Sequence, residues 1–194
     1  VLKGTSVHVA YQENALNGSG NRHLFHAAGF GNTFGSSLEV VSSIQDAGQP
    51  DIAADSAGNL YVAYIRGSTS DRIDMTSSAD DGVNWAPSTM VSEGGTAGYH
   101  QYSPDIAVDS LDNLHFVWHE YNATTLEPGR VQYRRLDFDA EWHATEFLTP
   151  DTDKSAFASI AADPTSNNLA IVYQRYTGVQ YEIFYQLGLY IPPP

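Results

Sequence analysis

Cysteine is absent, which removes disulfide scaffolds and thiolate metal sites from consideration. Lysine is nearly absent: Lys3 and Lys154 stand among 9 basic residues set against 23 acidic ones, for a formal net charge of −14. Such a surface repels phosphate backbones and anionic headgroups, so neither nucleic acid nor membrane insertion is expected. No window approaches ~18 uninterrupted apolar residues, and a membrane-spanning helix is not expected. Helical periodicity with caps is missing as well, which sets aside ankyrin and tetratricopeptide arrays. Residue 1 is Val and no secretory leader precedes it, the pattern of a mature or trimmed chain. What is plentiful is 42% hydrophobic residues, 12 tyrosines and 16 glycines, a composition suited to an all-β extracellular protein.

Repetition is the strongest signal in the 194 residues. The run from Gln49 to Tyr64 (Gln-Pro-Asp-Ile-Ala-Ala-Asp-Ser) returns from Ser103 to Trp118 and again from Phe157 to Tyr173, and Val7–Tyr11 is the second half of a further copy. Aligning Tyr11, Tyr64, Trp118 and Tyr173 gives spacings of 53, 54 and 55 residues. Each unit reads as four strands. In the second unit, strand A is Asp51–Ala54, a tight turn covers Asp55–Asn59, strand B is Leu60–Ile65, strand C is Arg72–Ser77 and strand D lies near Ser88–Val91. Strand B is apolar on both faces, as a strand sandwiched between neighbouring sheets can be. Units of ~40–50 residues with four short strands are the signature of a β-propeller, which a β-sandwich would not reproduce at constant spacing. The expected fold is therefore an all-β propeller of four-stranded antiparallel blades, with units at residues 1–46, 47–100, 101–154 and 155–194. The first unit lacks a strand A and the last a strand D, about three and a half blades where a closed ring uses ~4–8. The remainder is expected from the same polypeptide or from a second chain.

Between strands C and D of the second unit lies Ser78-Ala-Asp80-Asp-Gly82-Val-Asn-Trp85. The Asp carboxylate can accept N–H bonds across the turn, Gly82 allows positive φ, and the Trp ring can bury against the sheet. In the third unit the aligned residues are Arg135, Asp137, Asp139 and Trp142; in the first, Gly31 and Phe34 persist while Gly29 replaces the Asp. On these residues the chain resembles the secreted sialidase-like propellers that carry Asp-box (BNR) repeats. The resemblance covers nearly the whole chain and implies structural roles for Ser78, Asp80, Gly82, Trp85, Asp137 and Trp142. For sialidase chemistry it would further imply three arginines gripping a carboxylate, an acid/base Asp, a Tyr–Glu nucleophile pair and an Arg-Ile-Pro-like motif. None of these can be matched, and Arg72-Ile-Asp74 is only a superficial echo.

Other chemistry leaves little trace. The carboxylates for a generic glycosidase pair are plentiful, so their presence selects nothing. His115 and His119 share a face of strand B but stand ~13 Å apart, and His23 and His26 point to opposite faces, so no metal centre is expected. Calcium held by Asp and backbone carbonyls is compatible with the composition, although no EF-hand or nonapeptide motif is present. No cofactor is implied. Gly94–Gly98 reads as a flexible loop, and Asn17-Gly-Ser19 and Asn122-Ala-Thr124 are glycosylation sequons in B–C loops. The face where strands B end is the expected functional face. Glu13, Arg66, Glu120 and Arg175 fall at equivalent positions just past each B strand, alternating in sign. They form either a rim of inter-blade salt bridges or, with His119, Tyr121, Tyr176 and the loop Tyr99, His100, Gln101 and Tyr102, a polar and aromatic binding rim. Two functions follow: a non-catalytic module at the cell exterior that binds glycan or protein, or a segment of a sialidase-like glycoside hydrolase.

Overall fold

The computed structural model describes all residues except 15–20, 32, 42–45, 68–70, 94–97, 151, 164 and 190–194. The described residues form sixteen strands and no helix. They build four antiparallel sheets in simple meander order. The chain divides into two compact units, Val1–Val91 and Ser92–Pro194, each holding two sheets.

In the first unit, sheet 1 runs β1 (Leu2–Lys3), β2 (Ser6–Asn14), β3 (Arg22–Phe30) and β4 (Thr33–Phe34), with β5 (Leu38–Val41) also paired to β3. Sheet 2 runs β6 (Ala47–Ala54), β7 (Leu60–Arg66), β8 (Arg72–Ser78) and β9 (Thr89–Met90). Leu24, Val40, Val41, Ala47, Val62 and Tyr64 make the core between these two sheets, with Ala10, Ile52 and Trp85 packed on its margin. Each of the Leu and Val side chains contributes about 1.5–3 kcal/mol by leaving water. In the second unit, sheet 3 runs β10 (Tyr99–Val108), β11 (Leu114–Asn122), β12 (Pro128–Leu136) and β13 (Glu146–Phe147). Sheet 4 runs β14 (Ser155–Ala162), β15 (Asn168–Tyr176) and β16 (Tyr181–Leu189). Ala107, Val117 and Val131 of sheet 3 meet Ala158, Ile160, Ile171 and Tyr173 of sheet 4 in the second core.

The turn between strands A and B has one recurring chemistry. Asp55 accepts the backbone N–H and the side-chain amide of Asn59 at 2.8 and 2.7 Å, and Asp109 does the same for Asn113 at 3.0 and 2.9 Å. An Asp followed four residues later by Asn thus closes the hairpin through its own side chains. In sheet 4 one extra residue separates the pair, and Asp163 instead accepts from Thr165 and Ser166.

The sequence expectations need four adjustments. Sheet 1 does have a strand in the A place, although only two residues of it. Strands B run on past their expected ends: Glu13, Arg66, Glu120 and Arg175 lie inside β2, β7, β11 and β15. Tyr99, His100, Gln101 and Tyr102 are not a loop but the first half of strand A in sheet 3, paired with Asn122, Tyr121, Glu120 and His119, so that sheet begins before residue 101. Finally, β7 and β11 are buried on both faces, whereas β15 alternates buried and exposed along most of its length.

Candidate functional site

The geometry of the site starts from a defect repeated in every long A strand. Pairing of β6, β10 and β14 breaks between Gly48 and Asp51, between Tyr102 and Asp105, and between Ala156 and Ser159. At each break two A-strand residues oppose a single B-strand residue, which is a β-bulge. The single residues are Tyr64, Trp118 and Tyr173, the same aromatics that mark the sequence repeat. The first bulge residues, Gln49, Ser103 and Phe157, have φ of 48°, 50° and 51°. None of the three is glycine. The left-handed region costs such residues free energy, most of all a bulky one such as Phe.

Beyond the bulge, the first half of β10 and the last residues of β11 present two different faces. One is aromatic. His100, Tyr102, His119 and Tyr121 share it, and Phe157 from sheet 4 joins them. Tyr102 lies 5.9 Å from Tyr121 edge-on and 6.3 Å from His119, while Phe157 lies 5.2 Å from His119. His119 is 1% exposed; its Nδ1 accepts the Phe157 backbone N–H at 3.4 Å. Burial pushes its pKa down to about 4, so the ring is neutral at physiological pH. Phe157 is 59% exposed, and His100, Tyr102 and Tyr121 are half-buried.

The opposite face is a buried polar network that sequence reading missed. Gln101 Oε1 accepts Trp118 Nε1 at 2.5 Å and Gln132 Nε2 at 3.2 Å, and Gln101 Nε2 reaches Glu120 at 3.5 Å. The fully buried Glu120 carboxylate takes Arg130 Nε at 2.9 Å, and the Arg130 guanidinium lies 3.7 Å over the Phe147 ring. The sequence placed Gln101 in a rim loop and Trp118 among the repeat markers, and nothing in it singled out Gln132. Only their shared parity across three paired strands brings them together.

The rim positions that form ion pairs take other partners than one another. Arg66 and Arg72 both bind Asp74 of their own sheet, Glu120 binds Arg130 of its own sheet, and Arg175 binds Asp153 at 3.1 Å on the segment leading into β14. Tyr176 packs on Tyr181. Glu13 is exposed and makes no ion pair with a described residue. The physical reason is reach: with the B strands running one to four residues further, Arg66 and Glu120 meet an opposite charge on the adjacent C strand, while Arg175 meets Asp153 on the segment leading into its own A strand. All seven arginines are engaged with carboxylates, Arg22 with Asp46, Arg134 with Glu93 and Arg135 with Asp137 completing the set.

The residues assigned to the Asp box lie at the opposite end of the strands. Ser78 Oγ donates to Asp80 and accepts the Gly82 N–H at 2.9 Å; Asp80 accepts the Asn84 N–H at 2.9 Å and its amide at 2.7 Å; Trp85 Nε1 donates to the Gly82 carbonyl at 3.1 Å. In sheet 3, register places Leu136, not Arg135, opposite Leu114 as Ser78 is opposite Leu60. The connection there is one residue shorter, and Asp137 binds Arg135 and His143 instead of a turn N–H. Trp85 and Trp142 are half-buried, Trp85 edge-on to His26 and Trp142 beside Phe116. A cleft of about 220 Å³ opens at this end of the second unit, with Tyr133, Arg135, His143 and Glu146 over an apolar floor of Leu148, Leu169 and Ile171. It is therefore away from the aromatic face.

No group of three or more His, Asp or Glu able to hold a metal occurs among the described residues. Asn122 ends β11, its side chain accepting the N–H groups of Thr124 and Thr125. The other sequon, at Asn17, and all of the Gly94–Gly98 loop except Gly98 lie outside the described residues. No described helix is long and apolar enough to cross a membrane.

Repeated four-stranded antiparallel sheets, packed face to face within each unit, make the chain a partial β-propeller. Solved structures share that fold over nearly its whole length. It is similar to an α-L-arabinofuranosidase from Fusarium graminearum (TM-score 0.68, 15% identity, 94% of this chain and 59% of that one). It is likewise similar to an endo-arabinase from Bacteroides thetaiotaomicron (TM-score 0.65, 13% identity, 98% and 73%). A protein of unknown function from Dyadobacter fermentans superimposes with a TM-score of 0.70 at 10% identity, over 94% of this chain and 50% of that one. The chain thus spans from half to about three quarters of the length of these structures. No protein-family model and no curated protein matches the sequence.

Proposed function

We propose that the chain is a glycan-binding propeller module whose contact surface is the aromatic face of the second unit, working outside the cell or at its surface. The observation that carries this reading is Phe157: an aromatic side chain 59% exposed, held in a left-handed backbone conformation beside His119, Tyr102 and Tyr121. A residue kept in such a conformation while exposing a large ring is poor economy for stability and suits a surface that stacks on the apolar face of a sugar. The propellers it resembles are named for arabinan and related glycans, which favours a polysaccharide as the ligand class.

A second reading, a segment of a glycan-cleaving enzyme, is favoured by the same names. Its sialidase-like version has the least support: all seven arginines already hold carboxylates of the protein, and none is left to grip a sialate. The Glu120 carboxylate is fully buried and tied to Arg130.

Binding of arabinan, galactan and ulvan oligosaccharides should be measured by calorimetry on the intact chain and on Tyr102→Ala, Phe157→Ala and the control Leu126→Ala. The expected result is a Kd weakened roughly tenfold or more in the two aromatic variants, in line with about 1–3 kcal/mol per lost stacking contact, and unchanged in the control. Equal binding by all four proteins, or no glycan bound, would remove the aromatic face from consideration. Release of reducing ends by the intact chain would establish the enzyme reading.

A further inference from the structure

Sheet 4 carries an exposed apolar surface on the face turned away from sheet 3. Val172 is 43% exposed, Ile183 77%, Tyr185 75% and Leu187 73%. With Ala170 they occupy one face of β15 and β16, since Ala170 pairs with Leu187 and Val172 with Tyr185. No charged residue interrupts that row.

Register identifies what this face corresponds to. Val172 opposite Tyr185 in sheet 4 repeats Val117 opposite Tyr133 in sheet 3, and Gln174 opposite Ile183 repeats His119 opposite Val131. The sheet 3 residues are those that bury against sheet 4: Val117 and Val131 lie fully inside the core with Ala158, Ile160, Ile171 and Tyr173, and Tyr133 packs on its edge. The exposed face of sheet 4 is therefore the repeat equivalent of an internal packing face.

The complementary half is also present. What sheet 4 offers to sheet 3 is Ile171 and Tyr173, with Phe184 stacked on the Tyr ring at 6.1 Å and 17°. On sheet 1, the face turned away from sheet 2 offers Val9 and Tyr11, with Phe25 stacked on Tyr11 at 5.8 Å and 27°. Tyr11 opposite Phe25 repeats Tyr173 opposite Phe184. Gly29 opposite Val7 likewise repeats Gly188 opposite Leu169.

We propose that a second copy of this chain seats its Val9, Tyr11 and Phe25 face on the Val172, Ile183 and Tyr185 face of the first, a head-to-tail contact that reproduces the packing of sheet 4 on sheet 3. The contact is heterologous, so each copy uses two different surfaces, and repeating it gives a ring where the rotation closes and an open chain where it does not. It is apolar, so salt strengthens it by screening the repulsion between two copies of net charge −14.

Light scattering coupled to size exclusion tests this on the full 194-residue chain. The wild type is expected at a multiple of 21.1 kDa. Ile183→Asp and Val9→Asp, each removing one surface at an exposed strand position, are each expected to run as monomers with unaltered far-ultraviolet circular dichroism. Mixed together they are expected to form a one-to-one pair, because each retains the surface the other lacks. Ile183→Leu, which keeps the apolar surface, should assemble as the wild type does and separates loss of contact from loss of fold. A wild type that is monomeric at every concentration would overturn the proposal. So would a Val9→Asp protein that assembles like the wild type, since that outcome means sheet 4 pairs with itself.

Discussion

His119 gives the second unit an acid-sensitive element whose size can be worked out. The ring is 1% exposed, its Nδ1 accepts a backbone N–H, and Tyr102, Tyr121 and Phe157 surround it. In the unfolded chain it titrates at its ordinary value of 6.5; in the fold, burial lowers that to about 4. The unfolded state therefore binds the extra proton over this interval, and stability falls as pH falls. The contribution is complete above pH 6.5, declines through the window between 6.5 and about 4, and is gone below it. A gap of this size corresponds to roughly 3 kcal/mol, at about 1.4 kcal/mol per pH unit of displacement. His8, His26 and His115 are lowered in the same direction, chiefly by burial, so the whole chain loses more than this one residue supplies.

The assay separates the contributions. Urea unfolding at a series of pH values from 7.5 to 4 is measured for the wild type and for His119→Gln, whose amide oxygen can still accept the Phe157 N–H. The variant should be less stable than the wild type at pH 7.5 and should lose less on acidification, so that the two curves converge near the bottom of the window. Imidazole resonances followed by NMR should place His119 well below the ordinary histidine range. A His119 resonance titrating at 6.5 or above, or an identical loss of stability in the variant, would refute the argument.

Glu120→Gln should cost about 3–5 kcal/mol in equilibrium unfolding, because it strands the Arg130 charge beside a buried polar network, and Glu120→Gln combined with Arg130→Met should recover part of it. Gly82→Ala should lower stability by roughly 2–4 kcal/mol in thermal unfolding, since φ is +82° and the new Cβ would fall 2.2 Å from His26 Cε1; His26→Ala in the same protein should relieve the steric share. Trp85→Ala should cost about 1.5–3 kcal/mol, short of the ~3–5 of a fully buried ring, because the indole is half-buried; a loss no greater than that of a surface substitution would remove the clip role.

The B strands and the A–B turns were legible because their signals are local. Strand B is a largely apolar run, interrupted by His8 and His115, at a spacing of 53 to 55 residues, and in sheets 2 and 3 the turn is fixed by an Asp and an Asn four residues apart. The third-unit Asp box was misaligned because counting residues from Trp142 backwards cannot reveal a connection shortened by one; the pairing of Leu136 with Leu114 can. The rim positions take other partners for a related reason. Equivalent positions in a repeat do not have to meet one another: Arg66 and Glu120 pair within their own sheets, and Arg175 pairs with Asp153 on the connection between the third and fourth units. The polar network around Gln101 was invisible because Gln, Trp and Glu spread over three strands carry no sequence signal until register aligns them.

The feature least legible in the sequence is the one on which core and surface both depend. A bulge is usually announced by glycine, and here it is made by Gln49, Ser103 and Phe157. It leaves two A-strand residues opposite one aromatic, and that aromatic is thereby given the width it needs: Tyr64 and Trp118 are among the largest fully buried side chains of their units. The same extra residue resets the parity of the strand. In β10 it puts Tyr102 beside His119 and Tyr121, and in β14 it turns Phe157 outward over the same histidine. The backbone cost at Phe157 is therefore offset in the core by Tyr173, opposite it, which packs with Ile160 and Ile171. The rings of the proposed contact face thus stand on paired strands anchored by buried aromatics, so their placement is set by the same register that builds the core.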